Sequence, residues 1–467
     1  MIIGMKDTML EKENKVLEGR LLPTLLAISL PLFFNYVLEL VYSMFDTFAL
    51  SSTGIGDPGS VVLFSQIKNL LSSIGGGLIS GGAILITSYL GRDDKIKARM
   101  VITQVMYILC VFSIFCGTIF IGLGKPFLRL LNTPNDMINS SYGYYVALII
   151  ALIIGLLNSV YSTILIAKGD TKKVLIYKFL VMGIKVSLSS FIVFSGLFKN
   201  VNSTYLAVAT IISELALFFP ALFYLLSRRS ELCLIREKPH KKMILKIIIL
   251  SLPIVLGGIV FNLTKVIINS LIVNYYGSFV LTFIGLEGLF FGVFSKYLAS
   301  IKSACGTIAG QSMGARRYRR VIDTYKYSLI ISLLVGVANA IFFYFLKEPI
   351  SMIAVNNDAK LAEMLVDFMV VYFPNVIFSS ILEISVAYLN SLRMTKTKLI
   401  SDALRTIVFR LPLLVFLIYC TNFGYLSVAI VLNVSNILTC IIILMVSIKI
   451  SRKISRQIEI QEKLFPN

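Results

Sequence analysis

Several ionisable side chains lie inside long apolar stretches of this chain: Glu39, Asp46, Lys68, Lys178, Lys185, Glu214, Lys265, Glu287, Lys296, Lys302, Glu383, Arg405 and Arg410. A charge at the centre of a membrane helix costs at least about 2.5–3.5 kcal/mol, so each is a functional hypothesis unless a partner explains it. Glu39 and Asp46 are seven residues apart, two helical turns along one face. Two carboxylates at a low-dielectric cavity are suited to taking up and releasing a proton. The competing reading is a carboxylate held in a fixed ion pair. Lys185 lies about eleven residues, roughly 16 Å, into its apolar run at 1.5 Å per residue. Its ammonium is too deep to reach water and needs a carboxylate. Lys265 stands one turn before Asn269, with Glu287 and Glu383 as candidate partners in a charge network of the carboxyl half. Lys178, Lys302 and Arg405 fall near helix ends, where a long stem can snorkel to the interface, and they receive no role.

Composition says what elements must hold these groups. Of 467 residues 57% are hydrophobic and 15% charged, with a mean hydropathy of +0.86. A soluble domain carries about 25% charge, so a water-soluble enzyme is excluded, and the apolar content excludes disorder. The chain reads as a polytopic membrane protein. Its net charge of +20 fits basic cytoplasmic loops better than a nucleic-acid partner. Six cysteines without short paired spacings read as buried thiols, not as a disulfide framework or zinc site. No metal and no cofactor is expected. The polar amino terminus carries no cleavable signal peptide.

A spanning helix needs about 20 mostly apolar residues. Twelve such runs lie near 22–50, 60–90, 101–124, 142–167, 174–198, 204–227, 244–275, 278–312, 323–346, 364–392, 399–421 and 424–449. The amino tail, the connections 92–99, 168–173, 228–242, 316–320 and 393–398 and the final tail hold about 29 basic residues. The opposite loops hold about five, so the positive-inside rule makes both termini cytoplasmic.

Landmarks recur along the chain. Pro31 in SLPL returns as Pro253 in SLPI, 222 residues on, and Asp46 stands 223 before Asn269. YLGRDD matches SMGARR, and KPFLRLLNTPND matches KEPISMIAVNND, both at 223. Thr171 and Thr395 are 224 apart. The expected organisation is therefore two six-helix lobes, 1–230 and 244–450, in parallel pseudo-twofold arrangement. A cytoplasmic linker over 231–243 joins them, and an amphipathic tail over 451–467 follows. His240 in the linker reads as solvated. Parallel duplicated halves with a cleft between them suit alternating access. SSIGGGLISGGA supplies small residues for close helix packing.

The chain resembles a multidrug and toxic compound extrusion (MATE) transporter of the multidrug/oligosaccharide-lipid/polysaccharide exporter superfamily. The resemblance covers nearly the whole chain. It rests on LPLFFNYVLELVYSMFDTFAL, SYLGRDDKIKA, AKGDTKK, GQSMGARRYRR and RTIVFRLP, in that order and spacing. It implies twelve helices in two V-shaped lobes and export of cationic or amphipathic compounds against an inward flow of H+ or Na+, without ATP. It also implies that Asp46 is the amino-lobe cation ligand and that Thr210 belongs to the same site.

The fifth span departs from the family's pattern. Where relatives commonly carry an Asn and then an Asp, this chain has Lys185 and Ser189. The ammonium of Lys185 is expected to pair with Asp46, in the place of a bound Na+. Protons then move through a switchable pair, or the pair is a static lock. The family's acidic residue in the seventh span is replaced near Phe261–Asn262. Tyr42, Phe291, Met369 and Tyr372 are candidates for the wall of a polyspecific cavity.

The expected function is a monomeric, non-enzymatic exporter in a bacterial cytoplasmic membrane, taking amphipathic cations and driven by H+, with Na+ second. The alternative is a flippase for a lipid-linked precursor or amphipathic peptide, whose basic cavity residues would be Lys68, Lys265 and Lys296. A transport-dead sensor locked by Lys–carboxylate pairs is the third reading.

Overall fold

The computed structural model describes residues 16–52, 58–130, 135–194, 203–228, 230–277, 279–280, 283–286, 291–355 and 358–464, without the side chains of some helix-end residues, 42–52 among them. Lipid offers no partner to a backbone N–H or C=O, so apolar runs of this length close their hydrogen bonds internally as helices. In the first half these are α1 (Leu21–Ser52), α2 (Pro58–Gly91), α3 (Lys95–Cys116), the short α4 (Gly124–Leu130), α5 (Asn135–Ala167), α6 (Thr171–Phe194) and α7 (Ser203–Leu226). In the second half they are α8 (Lys241–Tyr276), α9 (Gly292–Gly314), α10 (Tyr318–Ala354), α11 (Ala359–Tyr372), α12 (Pro374–Ser391), α13 (Lys396–Ala403), α14 (Leu411–Cys420) and α15 (Leu426–Leu464). A wide π-type turn at Gly117–Gly122 extends α3, and another at Leu404–Arg410 joins α13 to α14.

Among the described residues, ten helical stretches are long and apolar enough to cross a membrane, and α11 with α12, bent by 42°, makes an eleventh. The remaining expected span, near 278–312, includes residues outside the described set, and the longest described part of it is α9. The fold is all-α and polytopic.

Contacts gather the chain into two compact units, one of residues Phe34–Val255 and one of Leu256–Asn467 with the chain up to Phe33. The divisions fall inside α1 and α8, two residues after Pro31 and Pro253. A proline in a helix lacks the N–H that would bond four residues back, so the chain leaves each unit where its helix ladder is already interrupted. The segment 231–243 does not divide the units; it belongs to the first. There it lies along α3: Tyr107 donates to the Glu237 carbonyl at 2.8 Å, and the His240 N–H donates to Gln104 at 3.0 Å. His240 is exposed, and its Nδ1 accepts the Met243 N–H at 3.3 Å at the start of α8.

The core of the Phe34–Val255 unit is built on Phe64, Val101, Ile102, Leu109, Tyr145, Ile149 and Ile247. The glycines of α2 set how close its neighbours come. A Cβ at Gly77 would stand 2.6 Å from Val255 Cγ2, and one at Gly81 would stand 2.8 Å from the Ser251 backbone nitrogen. The Ser251 hydroxyl donates to the Leu78 carbonyl at 3.1 Å across this crossing. Gly76 faces open space. Gly81→Ala should therefore destabilise the protein by about 3 kcal/mol through overpacking against backbone. Gly76→Ala should be neutral or gain up to about 1 kcal/mol of helix propensity. Thermal unfolding of the two purified variants checks the contrast.

In the other unit Tyr325 stacks on Tyr388 at 4.3 Å and shares a 2.7 Å hydrogen bond with Ser385. The tail expected over 451–467 is helical through Leu464 and continuous with the last span. No Gly or Pro interrupts Leu426–Leu464, so the helix has no sequence reason to break.

Candidate functional site

In the Phe34–Val255 unit, α6 holds Lys185 and Ser189, both 0% exposed. The Ser189 hydroxyl finds no hydrogen-bond partner among the described residues. On α7, Thr210 bonds back to the Leu206 carbonyl at 3.1 Å, and the Ser213 hydroxyl bonds to the Thr210 carbonyl. Glu214, further along α7, accepts from Asn158 of α5 at 2.8 Å. Glu39 of α1 lies 3.2 Å from Lys178 of α6. Lys178 thus holds a carboxylate instead of snorkelling alone, which corrects its dismissal on sequence grounds. The side chains of Asp46 and Tyr42 lie outside the described residues, as do those of Glu287 and its neighbours.

The second unit contains a connected set of charges. Lys302 of α9 lies 2.7 Å from Glu383 of α12. The other Glu383 oxygen is 3.6 Å from Arg405, which reaches Asp402 at 3.1 Å. Lys398, one turn before Asp402, also reaches it, at 3.0 Å. Arg405 covers the face of Phe261 at 4.7 Å from the ring centroid. Gly257 of α8 leaves room for Asp402: a Cβ there would stand 2.8 Å from Oδ2. Three protein cations thus meet two carboxylates.

This geometry corrects the expected network. Glu383 pairs with Lys302 and Arg405, not with Lys265, which is exposed. Leu263, Val266 and Ile267 around it on α8 are exposed as well, and Asn269 is half-buried. Lys302 and Arg405 belong to the network although their chain positions suggested snorkelling. Asp402 was absent from the expected set. Its signal was local: Lys398 at i−4 and Arg405 at i+3 share one helical face with it.

Next to this set, Arg410 is buried and donates to Ser435 at 3.2 Å and Asn436 at 3.4 Å, and Asn436 in turn bonds Asn375. Of the expected cavity residues, Phe291 and Met369 line one pocket of about 190 Å³ together with Phe343, Lys347 and Pro374. Tyr372 packs on Phe291 at 5.4 Å. The pocket is smaller than the 300–1,000 Å³ typical of drug-sized ligands.

The family model of MatE matches this chain twice, over residues 31–191 and 253–416. The chain belongs to the MatE family. This MatE chain is 24% identical over 331 residues to the probable multidrug resistance protein YoeA of Bacillus subtilis, covering 68% of this chain and 70% of that one. It is 24% identical over 305 residues to the probable multidrug resistance protein YpnP of the same organism, covering 65% and 68%. Its fold matches the outward-facing structure of a multidrug resistance MATE family transporter of the MOP superfamily. That likeness has a TM-score of 0.88 at 16% identity and covers 95% and 98% of the two chains. A MOP superfamily transporter from Pyrococcus furiosus, described as having a binding pocket of reverse polarity that suggests a different function, matches with a TM-score of 0.86 at 16% identity over 95% and 98%. The protein is a multi-span membrane protein of a transporter family, with the twelve-helix architecture of those neighbours.

The double match agrees with the internal duplication of this MatE chain. Its segments begin at residues 31 and 253 and end at 191 and 416, so the offset grows from 222 to 225. Lys185 stands 225 residues before Arg410. The wide turn at Leu404–Arg410 accommodates one extra residue. Each half thus buries a basic side chain, Lys185 on α6 and Arg410 at the wide turn before α14.

Proposed function

We propose that the protein is a secondary active exporter of amphipathic, chiefly cationic, small molecules, working by alternating access and driven by an inward flow of protons. The observation that carries the coupling ion is the complete burial of Lys185, supported by the engagement of the other described intramembrane carboxylates. Glu39 has Lys178, Glu214 has Asn158, and Glu383 and Asp402 share Lys302, Arg405 and Lys398. Sodium needs a vacant set of oxygen ligands. A proton needs only a carboxylate that can exchange its partner. On this reading Asp46 takes the proton, Lys185 occupies the place of a metal cation, and Ser189 and Thr210 line the same site. The likeness to the probable multidrug resistance proteins YoeA and YpnP supports multidrug substrates. The Lys/Arg bias supports cytoplasmic termini, in a bacterial cytoplasmic membrane on this reading.

A flippase reading has its own support. Lys68 and Lys296 are half-buried, Lys265 is exposed, and each lacks a carboxylate within 4 Å among the described residues. Such cations suit a phosphate-bearing substrate, and the reversed pocket polarity described for the Pyrococcus furiosus relative makes a change of substrate charge credible within this fold.

Ethidium efflux from proteoliposomes, under a pH gradient or a sodium gradient imposed separately, tests both. Efflux driven by pH alone and lost in Asp46→Asn is the expected result. Sodium-driven efflux would overturn the proton assignment. Absence of efflux under either gradient would favour the flippase.

A further inference from the structure

In the unit completed by Leu256–Asn467, a cavity of about 850 Å³ opens between the chain just before α1, the connection from α9 to α10, and α15. Four arginines line it, Arg316, Arg317, Arg319 and Arg320, against the carboxylates of Glu18 and Asp323. Arg317 donates to the Leu17 carbonyl at 2.7 Å and lies 3.4 Å from Glu18. Arg320 donates to the Val16 carbonyl at 2.7 Å, while its Nε is buried without an acceptor. Arg316 and Arg319 are exposed, with no carboxylate within 4 Å among the described residues.

The first half of the chain provides an internal control, because the same turn occurs there with the opposite charge. Asp93 at φ +56° corresponds to Arg316 at φ +60°, and Asp94 to Arg317. Asp94 caps α3, accepting the Lys97 N–H at 3.0 Å and pairing with the Lys97 ammonium at 2.6 Å. Hydrogen bonding to Lys97 holds the Asp94 carboxyl below the ordinary carboxylate range. In the second half no side chain caps α10, and two guanidiniums stand where the two carboxylates were. The second half has no carboxylate at these two positions, and only Arg317 of the pair meets one, Glu18 from before α1.

We propose that this arginine cleft binds the phosphate of an anionic phospholipid headgroup in the cytoplasmic leaflet. Guanidinium groups match phosphate oxygens in bidentate geometry. A lipid fits better than free phosphate because Leu21, Tyr327 and Ile458 give the cleft an apolar wall. The apolar stretches of α1 and α10 also begin at its edge, at Leu21 and Tyr318. The leaflet follows from the orientation proposed above; the binding chemistry does not depend on whether the transporter exports drugs or moves lipid precursors.

The test is native mass spectrometry of the full-length protein with phosphatidylglycerol or phosphatidylcholine. Arg316→Gln with Arg319→Gln is the variant of choice, since it leaves the ties of Arg317 and Arg320 to the amino-terminal segment. Arg452→Gln with Lys453→Gln removes the same charge from the exposed tail outside the cleft. Preferential retention of phosphatidylglycerol by wild type and the tail variant, weakened at least about fivefold in the cleft variant, is expected. Equal retention of the two lipids would overturn the proposal. So would equal losses in the two variants, which would mean diffuse surface charge. Displacement of phosphatidylglycerol by millimolar inorganic phosphate would overturn the lipid assignment. Melting temperatures of the three proteins, measured alongside, identify any loss due to misfolding, and Arg319→Lys then serves as the folded cleft variant.

Discussion

Glu383→Gln is expected to destabilise the protein by about 2 kcal/mol, the cost of taking the charged partner from half-buried Lys302. Lys302 loses its 2.7 Å contact outright, whereas Arg405 keeps Asp402 at 3.1 Å. Most of the loss should therefore belong to Lys302, and adding Lys302→Met should restore at least half of it. With exposed Cys110 and Cys420 replaced by Ser, the buried thiols Cys116, Cys233, Cys305 and Cys440 make a thiol-reactive dye a reporter of unfolding. Lys97→Gln, which breaks an ion pair in a surface turn, should change stability by no more than about 1 kcal/mol. An unchanged melting curve in Glu383→Gln would show that the carboxyl is already protonated, and the carboxyl-terminal network would become the proton site.

Lys185→Asn should abolish pH-driven efflux, by at least about tenfold, and make efflux responsive to sodium for the first time. The reason, on the proposed reading, is occupancy: with the ammonium gone, the fully buried position of Lys185, one turn before buried Ser189, has room for an ion that oxygen ligands can hold. Transport, pH dependence and sodium indifference all unchanged would remove Lys185 from the mechanism. A loss of stability with normal turnover per folded molecule would identify a static lock. Lys185→Met separates the two readings further, because it fills the volume without charge and offers sodium no oxygen.

Spans and their order were legible because a membrane leaves the chain few choices: apolar length alone announces a helix. The repeat was legible because prolines, glycines and turn residues are tied to backbone geometry in both halves. Pro31 and Pro253 even mark where the units divide, although sequence alone placed that division in the linker. Charge partners were much less legible. Lys265 looked like a network residue because it lies one turn from Asn269, but the direction an α8 side chain takes depends on which neighbours cover that helix. Lys302 and Arg405 were discounted by position along the helix, a measure that ignores the carboxylates another helix brings near. Asp402 carried only a local signal, in Lys398 one turn before it and Arg405 one turn after. The amino-terminal glycines were read correctly because a missing side chain has one main physical use where two helices touch.

The divisions within α1 and α8 bear on the order in which the protein is made. The residues up to Phe33 leave the ribosome first, yet the unit they complete does not begin again until Leu256. More than two hundred residues must be synthesised before that amino-terminal segment meets its own packing partners. Contacts so distant in sequence form slowly, because a long loop must close before they are rewarded. The unit of Phe34–Val255, by contrast, is a single continuous stretch and can finish folding first. Its last helical piece, Lys241–Val255, is also the first piece of the helix that leads into the second unit. Completion of one half thus sets the starting point for assembly of the other, and a chain truncated before Val255 would leave both halves without a closing helix.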